Sequence, residues 1–258
     1  MSETKSVAAI VLAAGTKSEP VSQASGLAHK AMLEVGGQAV VNRVVEALQP
    51  AQLVGEVVVV TAPDSPVQDV LVEGTAWVES AGGSYVDTIM AGLKYHKDCQ
   101  EVLLVTGDLP LLTAEAVDHF VAEALDSGAE LCYSMVSAER AASFYGTTSH
   151  SAVRLRDGTF TGGNLALVSR QFVERQQQRL ERAFANRKNP IGLARLLGGR
   201  SIFRYLLGRL TVADIVQRFN QILGCETMVV DSPYPEVSFD VDKPEHIAIA
   251  QQHLSERR

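Results

Sequence analysis

The amino-acid sequence predicts an α/β protein built on a mostly parallel sheet with helices on both faces. Two patterns carry that reading. Short, continuous apolar runs such as Val7–Leu12, Val57–Val60 and Glu101–Thr106 have the form of strands buried on both faces. Between them lie stretches whose apolar residues recur at helical spacing. Strands alternating with amphipathic helices imply βαβ units, and right-handed crossovers then place helices on both sides of the sheet.

The elements follow in order. Val7-Ala-Ala-Ile-Val-Leu12 is the first strand and ends in Ala13-Ala14-Gly15. Its apolar run after Lys5 shares the outline of a secretory segment, but it is too short for that role and reads as a buried strand. Residues 16–29 are polar, contain Pro20 and Gly26, and read as a loop. After Gly36-Gly37, Val40, Val41, Val44, Val45 and Leu48 define a helix over 39–48. Glu56–Thr61 is the second strand. Val86, Ile89, Met90 and Leu93 share one face of a helix over 84–95. Glu101–Thr106 is the third strand and runs into Gly107-Asp108-Leu109-Pro110. Thr113 is placed to N-cap a helix that turns Val117, Phe120, Val121 and Leu125 inward.

The second half differs. Glu130–Val136 and Thr161–Val168 read as strands, and residues 170–224 as helices broken at Pro190, Gly198-Gly199 and Gly208. Thr227–Val230 and Val237–Asp240 return to strand character, and Pro244–Leu254 closes as a helix. The helical segment has no apolar core of its own. The expected organisation is therefore one domain over 1–258 with a mainly helical insertion at about 170–225.

Charge and cysteine usage narrow the function. The net charge of −7 denies the chain the cationic field that non-specific nucleic-acid binding needs, so no nucleic-acid partner is expected. Nucleotides stay open, because a metal ion and a few local cations suffice to hold a triphosphate. The charge is uneven: Arg170–Arg209 holds ten Lys or Arg and two Asp or Glu, a local balance of +8. Cys99, Cys132 and Cys225 form neither a disulfide framework nor a zinc pattern. Reduced thiols point to the cytoplasm. No run approaches the roughly 20 apolar residues of a membrane span, and no membrane partner is expected.

In an open α/β sheet, ligands sit outside the carboxyl ends of the strands. Leu12–Gly15 and Gly107–Pro110 both fall there. Small residues at the end of a strand leave backbone N–H groups open to an anion, and a lysine such as Lys30 neutralises phosphate. Asp108, directly after a buried strand, suits Mg²⁺, although Gly-Asp-Leu-Pro is also a turn. In Phe239-Asp240-Val-Asp242 the two carboxylates face opposite sides of a continuing strand, so one of them is expected to reach the crevice. Asp242 serves equally as an N-cap ahead of Pro244. Ala81-Gly82-Gly83-Ser84 either admits a base or ribose or is a plain loop with Ser84 as N-cap. Walker, G-x-G-x-x-G, H-E-x-x-H and G-x-S-x-G signatures are absent.

Taken in order, Leu12-Ala-Ala-Gly15, Lys30-Ala-Met-Leu-Glu-Val-Gly-Gly37, Gly82-Gly83, Gly107-Asp-Leu-Pro110 and Asp240-Val-Asp-Lys-Pro-Glu245 resemble the MobA-like nucleoside-triphosphate transferases. These include molybdenum-cofactor guanylyltransferases and cytidylyltransferases. The resemblance implies a Rossmann-like sheet of the glycosyltransferase-A type. It implies a Mg²⁺-dependent nucleotidyltransferase that moves a nucleoside monophosphate from an NTP to a phosphorylated small-molecule acceptor and releases pyrophosphate. Lys30, Asp108 and Asp242 would be catalytic, with Asp108 and Asp242 holding the metal. Leu12, Ala13, Ala14, Gly15, Lys17, Lys30, Gly82, Gly83, Ser84 and Asp108 would meet the nucleotide. Gly163 and Asn164, in Thr161-Gly-Gly-Asn164, would meet the anionic acceptor.

The chain departs from the family at its first loop, written L-A-A-G-x-G-x-R. Lys17 stands at the second glycine and Glu19 at the arginine. That substitution keeps a second reading in view, a catalytically silent nucleotide-binding or assembly protein. Asp240-Val-Asp242 spells a glycosyltransferase D-x-D, but that motif belongs after a mid-chain strand, where this chain has Gly107-Asp108. Arg187, Lys188, Arg195, Arg200 and Arg204 read as a solvated face or a contact within a homo-oligomer before they read as a grip on the acceptor.

Overall fold

The computed structural model describes residues 6–15, 26, 27, 29–82, 84–146, 152–186 and 198–256, with backbone alone for 182–186. Among these, β1 (Val7–Ala13) leads to a 3-10 turn at Lys30–Met32 and a small hairpin, β2 (Glu34–Val35) and β3 (Gln38–Ala39). Gly36 and Gly37 make its turn with φ of 61° and 80°, the left-handed region that glycine enters without a Cβ clash. Then come α1 (Val40–Leu48), β4 (Val54–Thr61), β5 (Trp77–Glu79), α2 (Tyr85–Tyr95), β6 (Glu101–Thr106), α3 (Ala114–Ser127), β7 (Leu131–Ser137), α4 (Ala138–Tyr145), β8 (Ala152–Leu155) and β9 (Gly158–Ser169). The chain continues through α5 (Arg170–Asn186), α6 (Gly199–Leu206), α7 (Val212–Leu223), β10 (Thr227–Asp231) and α8 (Pro244–Glu256).

The main sheet runs β10-β7-β9-β6-β1-β4-β5, with β8 added on β9. β1 pairs in parallel with β4 and β6, while the long β9 runs antiparallel between β6 and β7. The sheet is therefore mostly parallel, as the alternating apolar runs imply. After β5 the chain returns to place β6 on the other side of β1, so the order reverses at the β1–β6 boundary. Such a switch point opens a crevice at the carboxyl ends of the strands.

Each face carries its own core. One packs α1, α3 and α4 through Val44, Leu48, Phe120 and Tyr145 against Val11, Leu103 and Leu165 of the sheet. The other packs Ile89 and Leu93 of α2, Phe172 and Val173 of α5 and Leu223 of α7 against Ile10, Val58 and Leu104. α5 and α7 thus share the sheet's core. Cys132 and Cys225 are buried and all three cysteines are free thiols. Burial pushes the Cys225 thiol up to about 11. Among the described residues no helix is long and apolar enough to cross a membrane.

One predicted element is corrected. Val237–Asp240 is not a strand: a 3-10 turn covers Pro235–Ser238 and the chain stays irregular to Asp242. Pro235 cannot donate to a ladder, and its fixed φ starts the turn instead. The short β5, β8 and α4 lack a strong sequence pattern and are found only in the structure. Pro190 lies outside the described residues.

Candidate active site

The site begins where β1 and β6 end side by side. The Gly107 N–H donates to Leu12 O at 3.0 Å, continuing the ladder one residue past β6. A Cβ on Gly107 would sit 3.3 Å from Leu12 O and from the Ala13 methyl, so the close approach favours glycine. The Asp108 backbone is held in turn, because its carbonyl accepts from the Val241 N–H at 3.1 Å. That bond ties the segment carrying Asp240 and Asp242 directly to the β6 end.

Three further contacts brace this segment. Phe239 is fully buried, its ring 4.9 Å from Tyr145 and 5.7 Å from His246 between centroids. Tyr145 Oη lies 3.0 Å from Ser238 Oγ. The Asp242 N–H donates to His246 Nδ1 at 3.3 Å, and the same nitrogen lies 3.0 Å from Asp240 O. Since the backbone is not extended, the two-residue alternation of a strand does not apply. Asp240 and Asp242 consequently turn to the same side, which corrects the expectation that one of them reaches the crevice.

Carboxylate oxygens of Asp108, Asp240 and Asp242 lie within 4.8 Å of one another. Lys30 Nζ stands among them, 2.5 Å from Asp108 Oδ2 and 2.8 Å from Asp242 Oδ1. Lys30 reaches this point from its 3-10 turn, 212 positions away from Asp242 in sequence. Burial and the neighbouring Asp108 and Asp242 carboxylates push Asp240 up to about 8, with Lys30 acting in the opposite direction. Asp108 is 3% exposed, and its Oδ1 has no hydrogen-bond partner among the described residues.

These residues fit a divalent cation. Three carboxylates are a hard oxygen set of the kind Mg²⁺ takes, and the orphaned Asp108 Oδ1 is a buried acceptor still in need of a cation or donor. A cation there would also offset the burial and the carboxylate repulsion that raise Asp240.

The other predicted residues are placed as follows. Leu12, Ala13, Ala14 and Gly15 lie at the carboxyl end of β1, beside Asp108. Ser84 is the N-cap of α2 in a capping box with Asp87, and a Cβ on Gly82 would meet the Asp87 carboxylate. Gly163 packs where a Cβ would strike Ser134, opposite an irregularity in the β7–β9 ladder, and its carbonyl accepts from Tyr133 Oη at 2.5 Å. Asn164 Nδ2 donates to Val237 O at 3.4 Å, on the segment that leads to Asp240. Lys17, Glu19, Gly83, Arg187, Lys188 and Arg195 lie outside the described residues.

Sequence reasoning missed several residues. Strand alternation allows only one of Asp240 and Asp242 into the crevice, and His246 carries no signal beyond its place after Pro244. Thr61 and Thr106 end β4 and β6 beside β1, each with a buried hydroxyl that has no partner among the described residues. Threonine at a strand end is too common to single out from sequence.

A switch-point crevice that joins a lysine and three carboxylates belongs to an α/β enzyme handling phosphate groups. Residues 9–187 match the MobA-like NTP transferase domain, and the chain belongs to that nucleotidyltransferase family. A solved structure described as a hypothetical transferase from Thermus thermophilus is 34% identical, covers 94% of this chain and 99% of its own, and superposes with a TM-score of 0.80. A structure of CMP:2-keto-3-deoxy-manno-octonic acid synthetase complexed with CTP is 15% identical, covers 98% of this chain and 100% of its own, and has a TM-score of 0.62. 4-Diphosphocytidyl-2C-methyl-D-erythritol synthase from Anaerococcus prevotii is 16% identical, with coverages of 98% and 97% and a TM-score of 0.56. The last two show a shared fold. No curated protein is a significant match.

Proposed function

We propose that this chain transfers a nucleoside monophosphate from an NTP to a phosphorylated small-molecule acceptor, with Mg²⁺ required and pyrophosphate released. The reading rests on one observation: Lys30, Asp108, Asp240 and Asp242 meet at the end of β1, within 4.8 Å for the carboxylates and 2.8 Å for the lysine contacts. Asp108, Asp240 and Asp242 would hold the cation. Mg²⁺ bound there supplies charge neutralisation and Lewis acidity toward phosphate oxygens. Leu12–Gly15 would line the nucleotide with backbone N–H groups. Lys30 would neutralise phosphate charge, and Gly82 and Ser84 would flank the base. Gly163 and Asn164 would face the acceptor. Catalysis of this type rests on positioning and on charge complementarity in the transition state. The helices over 170–225 are read as part of the same domain, since α5 and α7 share its core. The cytoplasm remains the expected location.

The test is a thermal-shift panel of the four NTPs with and without Mg²⁺, followed by pyrophosphate detection with candidate phosphorylated acceptors. CTP heads the panel, because one fold relative is described in complex with it. The true ligand raises the melting temperature by mass action, and does so only with Mg²⁺. No shift with any NTP at millimolar concentration rejects the reading in favour of a silent scaffold, the alternative that Lys17 and Glu19 suggest.

A further inference from the structure

The helical insertion contains an inverted helix. An ordinary surface helix turns its apolar stripe inward and its polar face to water. α6 does the reverse and has no buried residue. Its polar side faces α7 across a cavity of about 410 Å³ lined by Arg200, Ser201, Arg204, Asp214, Gln217 and Arg218. Arg204 is tied there to Asp214 at 2.8 Å. On the outer side Phe203, Leu206 and Leu207 fall at i, i+3 and i+4, one face of the helix, and are 63%, 76% and 52% exposed. Three large apolar side chains sharing one solvent-facing side form a patch rather than the scattered exposure usual on protein surfaces.

The charge around this patch says what covers it. The chain carries −7 overall, yet described residues 198–213 hold three Arg and no Asp or Glu. Arg200 and Arg209 are exposed at the two ends of α6. An apolar face flanked by cations, on a helix too short and too polar to span a bilayer, matches an anionic lipid surface, where apolar side chains enter the headgroup region and arginines meet phosphates. We infer that α6 docks this protein on anionic membranes, with Phe203, Leu206 and Leu207 as the inserting residues. This departs from the expectation of no membrane partner, which considered spanning segments alone. It does not depend on the proposed transferase activity.

The experiment is sedimentation of the full chain with vesicles of phosphatidylcholine alone or with anionic phosphatidylglycerol. Binding is expected to the anionic vesicles and to fall with added salt. The double substitution Leu206→Glu and Leu207→Glu should weaken it by at least about tenfold per leucine. Arg200→Glu and Arg209→Glu should each cost about fivefold. In a Trp77→Phe background, Phe203→Trp should shift its emission to shorter wavelength on anionic vesicles. All these positions are exposed, so an unchanged melting temperature is the control for folding. Absence of binding to anionic vesicles at low salt overturns the inference, as does binding that survives the leucine substitutions. So does a stable dimer dissolved by the same substitutions, which would show that a second copy covers the patch.

Discussion

Lys30→Met tests the centre of the site without adding bulk or charge. In the wild type the ammonium contacts two carboxylates, Asp108 at 2.5 Å and Asp242 at 2.8 Å. The Asp108 side chain is 5% exposed and the Asp242 side chain 49% exposed. Breaking a fully buried pair costs about 3–5 kcal/mol, because a charge is left uncompensated. The half-exposed Asp242 regains water, so a loss of about 2–3 kcal/mol is expected for metal-free protein. For a chain of this size that lowers the melting temperature by about 4–12 °C. Saturating Mg²⁺ should restore most of the loss in the variant, since a cation replaces the missing charge among the same carboxylates. Wild type should gain less, because Lys30 must first leave. The assay is differential scanning calorimetry of both proteins with chelator and with Mg²⁺. A drop under about 1 °C, or an equal Mg²⁺ shift in both proteins, refutes the idea that Lys30 and the metal share one site.

Asp108→Asn and Asp242→Asn should each remove most transferase activity while leaving circular dichroism unchanged; Mg²⁺-dependent turnover retained in both would reject the metal assignment. Asp240→Asn should flatten the pH dependence of metal-free stability. An aspartate has a pKa near 4 in the unfolded chain and about 8 here, so the Asp240 contribution to stability falls as pH rises between these values and is level outside them. Superimposable stability–pH curves for Asp240→Asn and wild type would show that this carboxyl is not perturbed. Lys17→Gly should weaken NTP binding if Lys17 supplies the cation missing at Glu19, by about 5- to 150-fold for one charge-assisted bond; calorimetry showing unaltered affinity would exclude that role.

The parallel half of the fold was legible because its strands are buried on both faces, which forces continuous apolar runs such as Val7–Leu12 and Glu101–Thr106. Thr113 and Ser84 were legible as caps because the missing partners of a helix N-terminus have few solutions. Lys30, Asp108 and Asp242 were legible as an ordered set, and the structure brings those three together. Asp240 was not. Alternation along a strand is a valid rule only where a strand exists, and Val237–Asp240 has strand-like residues in a segment that Pro235 has already bent. What holds that segment is tertiary: the Val241 bond to Asp108, the Phe239 packing against Tyr145, and the His246 contact. None of these has a local sequence signature. The exposed face of α6 was equally hidden, since an apolar stripe at helical spacing reads as core until the sheet is seen to lie elsewhere.

The electrostatics of the site constrain the order in which it can work. Burial and the neighbouring carboxylates favour the neutral form of Asp240, while Lys30 is engaged by Asp108 and Asp242. Lys30 cannot remain between these carboxylates and also reach a phosphate. On the proposed function, Asp108, Asp240 and Asp242 would hold Mg²⁺, whose charge would favour loss of the Asp240 proton and leave Lys30 available to the phosphates of the nucleotide. Lys30 would then act on the nucleotide only with the cation in place. A triphosphate without Mg²⁺ would meet three carboxylates with Lys30 already engaged by two of them. On the proposed function, nucleotide and metal binding would therefore depend on each other through charge alone.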